Sequence, residues 1–149
     1  MYKKIILPID LNSNFKKPML LAVHLAEKFS SKIIVLNVLE EYLESDQSIM
    51  SRVSIDSINS DIEEEVSKNT ALIKSRLLET SDINLDIEIK VIAGESAECI
   101  LDLASDSSAD TIIMGSNGKD GISDFFMGTT SSKVLEKSTI PVLVVPNTD

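Results

Sequence analysis

Short, nearly continuous apolar runs alternate along the chain with longer segments in which apolar residues recur every three or four positions. Four short runs are rich in β-branched residues, as in strands that are covered on both faces: residues 5–9, 33–39, 111–114 and 141–145. A fifth run, residues 85–92, alternates apolar and polar residues. That alternation predicts a strand near a sheet edge, with one face buried.

The segments between these runs have the periodicity of amphipathic helices. The first follows the turn-like residues 12–14 and contains Pro18, which a helix tolerates only in its first turn. It is predicted to end near residue 30, and the remaining helices are predicted over residues 55–78, about 96–105 and about 128–138.

Two of these helices have apolar residues that we expect to face the sheet. In the first helix the stripe consists of Met19, Leu20, Val23, Leu25 and Ala26. In the last helix the corresponding residues are Val134 and Leu135. Each stripe predicts packing against one face of a sheet.

The predicted order of elements is βαβαβαβαβ. Such alternation with short connections favours an α/β fold of the doubly wound class: a mainly parallel five-stranded sheet with four helices on both faces and right-handed crossovers. We expect a single domain over residues 1–149, since the length suits one core. Ligands of such sheets bind beyond the carboxyl ends of strands where the strand order reverses. Candidate site residues therefore lie at 8–10, at 38–40 and from 115 onward.

Charge and composition exclude several classes of function. With 14 basic and 24 acidic side chains the net charge is −10, which repels nucleic-acid backbones and anionic membrane surfaces. A single cysteine, Cys99, and a single histidine, His24, allow neither an internal disulfide nor a Cys/His metal site. The first apolar run reaches Asp10 too soon for a signal peptide or a membrane span. We therefore expect a cytoplasmic protein that binds neither nucleic acid nor membranes.

A glycine-rich segment follows the fourth strand, from Gly115 through Gly118 to Gly128 and Thr129. Successive N–H groups in such a turn can form an anion-binding nest, and the last helix begins directly after it, so a phosphate is the natural ligand. The P-loop pattern is absent, because Lys119 is followed by aspartate, and the dinucleotide G-x-G-x-x-G is absent too. Three alternatives remain: the glycines form an ordinary turn, Asp10 caps a helix, and the hydroxyls at 129–132 cap the last helix.

The spacing Gly115-x2-Gly118-x9-Gly128-Thr129 resembles the G-x2-G-x9-G-[ST] signature of the ATP-binding branch of the universal stress proteins. The resemblance extends over nearly the whole chain. The first strand with its aspartate, residues 4–10, and the strand at 109–115 are similar to those of the family. The resemblance implies a Rossmann-like fold and an adenine nucleotide as ligand, and it leaves open whether Mg²⁺ or Mn²⁺ accompanies ATP.

On the base and ribose side, the resemblance implies that Asp10 accepts hydrogen bonds from the ribose hydroxyls. Pro8 and Ile9 would form a wall of the site. Val38 would contact adenine, and Met114 would pack under the ribose.

On the phosphate side, the resemblance implies that Gly115 and Gly118 present N–H groups to the phosphates. Gly128 would allow close approach, and Thr129 and Thr130 would donate to the terminal phosphates.

The glycine loop departs from the family at one position. Where the family often has histidine or arginine, this chain has Asn117, which leaves Lys119 as the nearby cation. Lys119 is a phosphate ligand in one interpretation and a solvated charge in the other.

The leading hypothesis is an ATP-binding regulator or sensor, a cytoplasmic homodimer whose nucleotide state modulates contacts with a protein partner that the sequence does not identify. The resemblance implies pairing through the C-terminal strand Val142–Val145. Because the sequence has no obvious catalytic base, we expect slow or no ATP hydrolysis. One alternative is a nucleotide-free dimeric adaptor of the same fold. Another is a nucleotidyl or phosphoryl transferase, in which Asp120 or Lys119 would affect turnover.

Overall fold

The computed structural model of the protein describes residues 2–40, 55–80, 84–116 and 128–146. Within these ranges five strands alternate with four helices, which confirms the predicted order. In chain order the elements are β1 (Lys4–Ile9), α1 (Lys16–Phe29), β2 (Lys32–Leu39), α2 (Ile55–Thr80), β3 (Asp86–Ala93), α3 (Ser96–Asp106), β4 (Thr111–Gly115), α4 (Thr129–Lys137) and β5 (Val142–Val145).

The five strands form one parallel sheet in the order β3-β2-β1-β4-β5. In the centre, Ile5 of β1 pairs with Ile33 of β2 on one side and with Thr111 of β4 on the other. β3 lies at an edge of the sheet, as its alternating pattern predicts. The doubly wound fold inferred from the sequence is therefore confirmed.

Helices α1 and α2 cover one face of the sheet. The odd-numbered residues of β1 point to this face and pack with buried residues of both helices, among them Ala22 of α1 and Ile73 of α2. Leu85, just before β3, and the apolar positions Ile87, Ile89 and Val91 of β3 pack against the same cluster. Burial of one face of β3 explains why its sequence alternates.

Helices α3 and α4 cover the opposite face. Ile6 of β1 and Leu36 of β2 contribute to the second cluster, together with Ile100 of α3 and Val134 of α4. Neighbouring residues along the central strands therefore belong to different clusters. Because both faces of these strands are covered, their sequences are continuously apolar.

Two leucines that the periodicity assigns to buried stripes are instead partly exposed. Leu20 of α1 is 43% exposed and Leu135 of α4 is 41% exposed, because each lies at the border of a stripe whose centre is occupied by Val23 or Val134. The apolar stripes through which α1 and α4 pack on the sheet are thus narrower than predicted. Among the helices within the described ranges, none is long and apolar enough to cross a membrane.

Candidate functional site

A cavity of about 320 Å³ opens at the carboxyl ends of β1 and β4. In the sheet, β2 and β3 lie on one side of β1, and β4 and β5 lie on the other. The strand order therefore reverses between β1 and β4, which is where open α/β sheets bind their ligands. The cavity lies where the sequence predicts a site.

Nine of the twelve residues that the sequence analysis selects line this cavity. They are Pro8, Ile9, Asp10, Val38, Met114, Gly115, Gly128, Thr129 and Thr130. The other three, Asn117, Gly118 and Lys119, lie outside the described residues. Residues more than 100 positions apart in sequence thus share one cavity, and their roles toward a ligand remain predictions.

Asp10 organises the turn that follows β1. Its Oδ1 accepts a hydrogen bond from the backbone N–H of Asn12 at 2.9 Å, and its carbonyl oxygen accepts from the N–H and the hydroxyl of Ser13, both at 3.0 Å. This is an Asx turn, in which a side chain takes the place of a backbone acceptor. Helix α1 begins later, after Phe15, and its first N–H, that of Lys16, donates to Asn14 Oδ1 at 3.1 Å. The alternative that Asp10 caps this helix is therefore wrong, and its half-buried carboxylate lines the cavity.

Helix α4 begins at the cavity without a side-chain cap. Its N-cap residue is Gly128, with φ −62° and ψ 162°, a conformation open to any residue. The hydroxyl of Ser131 donates to the carbonyl oxygen of Gly115 at 2.8 Å rather than capping the helix. The alternative in which hydroxyls at 129–132 cap α4 is therefore wrong. Among the described residues no side chain caps the first-turn N–H groups of α4, and these groups, with the positive end of the helix dipole, can bind an anion.

Two charged residues that were not singled out from the sequence, Glu95 and Lys133, line the cavity on the side of α3 and α4, together with Glu40 from the candidate range 38–40. Glu95 caps α3, since its Oε2 accepts from the N–H of Glu98 at 2.8 Å, and its Oε1 lies 3.5 Å from the Lys133 ammonium. Partial burial raises the pKa of Glu95, but the N–H groups of Glu98 and Ala97 and the charge of Lys133 outweigh it, and the pKa is lowered. Lys133 is the only cation among the described residues that line the cavity.

Two buried asparagines line the cavity on the opposite side of the sheet and were also missed. Asn37 of β2 donates through Nδ2 to the carbonyl oxygen of Ile9 at 3.2 Å, and Asn69 of α2 donates through Nδ2 to Asn37 Oδ1 at 2.9 Å. The sequence carries a signal for each. Asn37 interrupts an apolar strand, and Asn69 occupies a position between Val66 and Ile73 in the apolar stripe of α2. Polar residues at buried positions need hydrogen-bond partners, so such interruptions indicate a buried polar network.

Comparison with known proteins identifies relatives over nearly the full length of the chain. The model of the universal stress protein family matches residues 1–146. Universal stress protein MJ0577 of Methanocaldococcus jannaschii is 28% identical over 154 residues, which cover 97% of this chain and 95% of that protein. Universal stress protein YxiE of Bacillus subtilis is 28% identical over 150 residues, or 97% of this chain and 99% of the relative.

Solved structures share the fold. The structure of the MJ0577 protein superposes with a TM-score of 0.79 at 25% identity, covering 100% of this chain and 99% of that one. A universal stress protein solved in complex with cAMP gives a TM-score of 0.65 at 18% identity, with 99% and 98% of the chains covered. The protein from Archaeoglobus fulgidus in complex with dAMP gives 0.58 at 19% identity, with 96% and 97% covered. The family match over almost the entire chain confirms the resemblance found in the sequence, and the chain belongs to the universal stress protein family.

Proposed function

We propose that the protein binds an adenine nucleotide, with ATP as the preferred form, in the cavity between β1 and β4. The observation that carries the proposal is the uncapped start of α4, which faces a cavity whose other side holds the carboxylate of Asp10. A helix N-terminus attracts phosphate, and a carboxylate accepts hydrogen bonds from ribose hydroxyls. A volume of about 320 Å³ lies within the range of small-molecule sites.

Lys133 supports the placement of the phosphates at α4. It follows Thr129 by four residues, so both lie on the same side of the helix, and both line the cavity. Because the whole chain carries a net charge of −10, a local cation and a helix dipole are needed to hold a polyanion. Lys133 therefore joins Gly115, Gly128, Thr129 and Thr130 as a proposed phosphate ligand.

The relatives support the choice of nucleotide. Two proteins of this fold are solved with cAMP and with dAMP, both of which contain adenine. In the present chain, Val38 and Met114 line the cavity between the ends of β2 and β4 and offer apolar contact to a base and a sugar. The proposed ligand is ATP, alone or with Mg²⁺ or Mn²⁺.

The experiment that tests the proposal is to purify the protein without added nucleotide, denature it, and identify the released small molecules by mass spectrometry. The stripped protein is then titrated calorimetrically with ATP, ADP and AMP, with Mg²⁺, with Mn²⁺ and with EDTA. We expect the wild-type protein to bind ATP. Lys133→Ala should lower the affinity for ATP by about 10-fold and the affinity for AMP much less, since we propose that this cation binds the terminal phosphates. Lys137→Ala, on an exposed position of the same helix, is the matched control.

No bound nucleotide, together with no binding under any of these conditions, would refute the proposal. The favoured function would then be a nucleotide-free adaptor of the same fold. ATP binding with rapid phosphate release would instead favour an enzyme, because the proposed regulator hydrolyses ATP slowly or not at all.

We further propose that the protein is a single domain over residues 1–149 that works as a cytoplasmic homodimer and signals nucleotide state to a protein partner. β5 supports the dimer: it pairs with β4 on one side, forms an edge of the described sheet, and has Leu143 37% exposed. An apolar edge strand is commonly covered by pairing with another strand. Leu143→Lys should convert a dimer to a monomer in sedimentation equilibrium, and an unchanged mass would contradict this interface.

A further inference from the structure

A groove of about 490 Å³ lies between the start of α1 and the end of α2, next to the candidate nucleotide cavity. Its lining includes Met19 of α1, which is buried and accepts a hydrogen bond through its sulfur from the Thr80 hydroxyl of α2 at 3.9 Å. Leu20 of α1 and Leu72 of α2 also line it and are 43% and 41% exposed. This α1–α2 groove therefore presents partly exposed apolar side chains from two helices.

The charges that line the α1–α2 groove differ in sign from the charge of the whole chain. Lys16 of α1 and Arg76 of α2 line it, and Glu79 is the one acidic residue among its described lining. Arg76 Nη1 lies 4.0 Å from Glu79 Oε2, and both side chains are more than half exposed, so this ion pair is weak. The first turn of α1 has no acidic residue, so the positive end of its dipole adds to the two cations. On a chain with a net charge of −10, the groove is a local surface that attracts acidic groups.

We propose that the α1–α2 groove docks a segment of a partner protein that combines acidic residues with leucine or phenylalanine side chains. The apolar side chains of the segment would cover Leu20 and Leu72, and its carboxylates would lie near Lys16 and Arg76. Proteins commonly recognise amphipathic segments in this way, with apolar side chains placed in a groove. The inference rests on the proposed function only for the dependence of docking on the nucleotide.

Two other occupants fit the groove less well. A small anion would be attracted by Lys16 and Arg76 but would leave the exposed apolar surface of Leu20 and Leu72 uncovered. A second copy of this chain brings a further charge of −10, and the two copies repel each other. A short acidic segment covers the leucines at a much smaller electrostatic cost.

The α1–α2 groove and the nucleotide cavity share part of their lining. Leu11, Ser13 and Phe15 line both, and all three lie in the connection between β1 and α1. This connection follows Asp10, the proposed ribose ligand. A ligand on either side can contact the same short segment, which gives a physical route by which nucleotide binding changes the affinity for the partner. Such coupling is reciprocal, so the partner segment would change the affinity for the nucleotide by the same factor.

The test uses the full chain and a library of random dodecapeptides displayed on phage. We expect the selected peptides to be rich in aspartate, glutamate, leucine and phenylalanine. Selected peptides are synthesised with a fluorescent label and titrated by fluorescence anisotropy. Leu72→Gln and Arg76→Glu should each lower the affinity by about 10-fold, the first by removing an apolar contact and the second by reversing a charge. Added salt should reduce the effect of Arg76→Glu and not that of Leu72→Gln.

Leu78→Gln and Lys74→Glu are the matched controls. Both residues are exposed on α2, and neither is among the described residues that line the groove. These two variants should bind the peptides as the wild type does. Leu20→Gln, on the α1 side of the groove, replaces Leu72→Gln if that variant fails to fold.

The docking inference is overturned if the library yields no binder, if the selected peptides are basic, or if they bind Leu72→Gln and Arg76→Glu as tightly as the wild type. A self-association that Leu72→Gln abolishes also overturns it, because a second copy would then occupy the groove.

The dependence on nucleotide is tested by repeating the peptide titration with ATP, which should change the peptide affinity by about 5-fold or more. An unchanged affinity in a protein that binds ATP overturns this dependence. A protein that binds the peptides but no nucleotide refutes the proposed function and supports docking, whereas a protein that binds ATP but no peptide refutes docking alone.

Discussion

The hydroxyl of Ser131 donates to the backbone carbonyl oxygen of Gly115 at 2.8 Å, and this bond fastens the first turn of α4 to the end of β4. Ser131 is 2% exposed. The backbone N–H of Gly128 donates to the carbonyl oxygen of Ser116 at 2.8 Å and adds a second link between the same two elements. Among the described residues, these two hydrogen bonds connect the start of α4 to the end of β4.

Replacing Ser131 tests the first of these links. Ser131→Ala should lower the free energy of unfolding by about 1 kcal/mol, because the half-buried carbonyl oxygen of Gly115 loses its donor. Urea denaturation measures the change, and Ser132→Ala, at an exposed neighbouring position, is the control. If both variants unfold at the same urea concentration, the Ser131 bond does not stabilise the fold.

A substitution at Gly128 tests nucleotide binding separately from the stability of the fold. Its backbone conformation suits any residue, and serine is a better N-cap than most, so Gly128→Ser should leave the melting temperature unchanged or slightly higher. The serine hydroxyl would occupy first-turn N–H groups, and its Cβ would intrude on the phosphate position. We therefore expect ATP affinity to fall by at least about 10-fold. Unchanged affinity in calorimetry would exclude the start of α4 as the phosphate site.

Asp10 combines a structural contact with a proposed contact to ribose. Asp10→Asn keeps an Oδ1 acceptor for the N–H of Asn12, so it should preserve stability, whereas Asp10→Ala should cost about 1 kcal/mol. If the carboxylate binds the ribose hydroxyls, Asp10→Asn should lower the affinity for ATP several-fold and leave the affinity for 2′,3′-dideoxy-ATP unchanged. Titration of both ligands measures this, and a parallel loss for both would contradict the assignment.

Gly94 and Cys99 are expected to be energetically coupled. A Cβ added at Gly94 would lie 2.5 Å from Cys99 Sγ, so Gly94→Ala forces the half-buried Cys99 side chain to move and should cost about 1–3 kcal/mol. The cost should largely disappear in a Cys99→Ala background and persist in Cys99→Ser, which retains an atom at the γ position. Additive effects in this double-mutant cycle would show that the contact is absent in solution.

The lowered pKa of Glu95 predicts a dependence of stability on acid pH. A carboxyl group whose pKa is lower in the folded state stabilises the fold above its unfolded pKa, ordinarily 4.5, and this contribution is lost as the pH falls through the folded value. The destabilisation caused by Glu95→Gln should therefore be larger at pH 7 than at pH 3. Denaturation at both values measures the difference. Glu136→Gln, exposed on α4, should show a smaller change, and equal pH dependence in the two variants would refute the prediction.

The order and type of the elements could be predicted from the sequence because each strand and each helix has its own periodicity. The residues at the ends of β1 and β4 could be predicted too, since strand ends and glycines mark them. Glu95 and Lys133 could not, because a charged residue is ordinary at a helix N-cap and on the exposed side of a helix. Asn69 interrupts the apolar stripe of α2, which indicates a buried polar residue but does not identify its partner or the cavity. Only the packing of α2, α3 and α4 on the sheet brings them to one cavity.

The two hydrophobic clusters lie on opposite faces of the sheet, and the cavity opens at the top edge between them. A nucleotide bound as proposed would contact both helical layers, since Asn69 of α2 and Thr130 of α4 line the same cavity. It would therefore connect two layers that the sheet otherwise separates. Ligand binding to the folded state alone adds RT ln(1 + [L]/Kd) to stability.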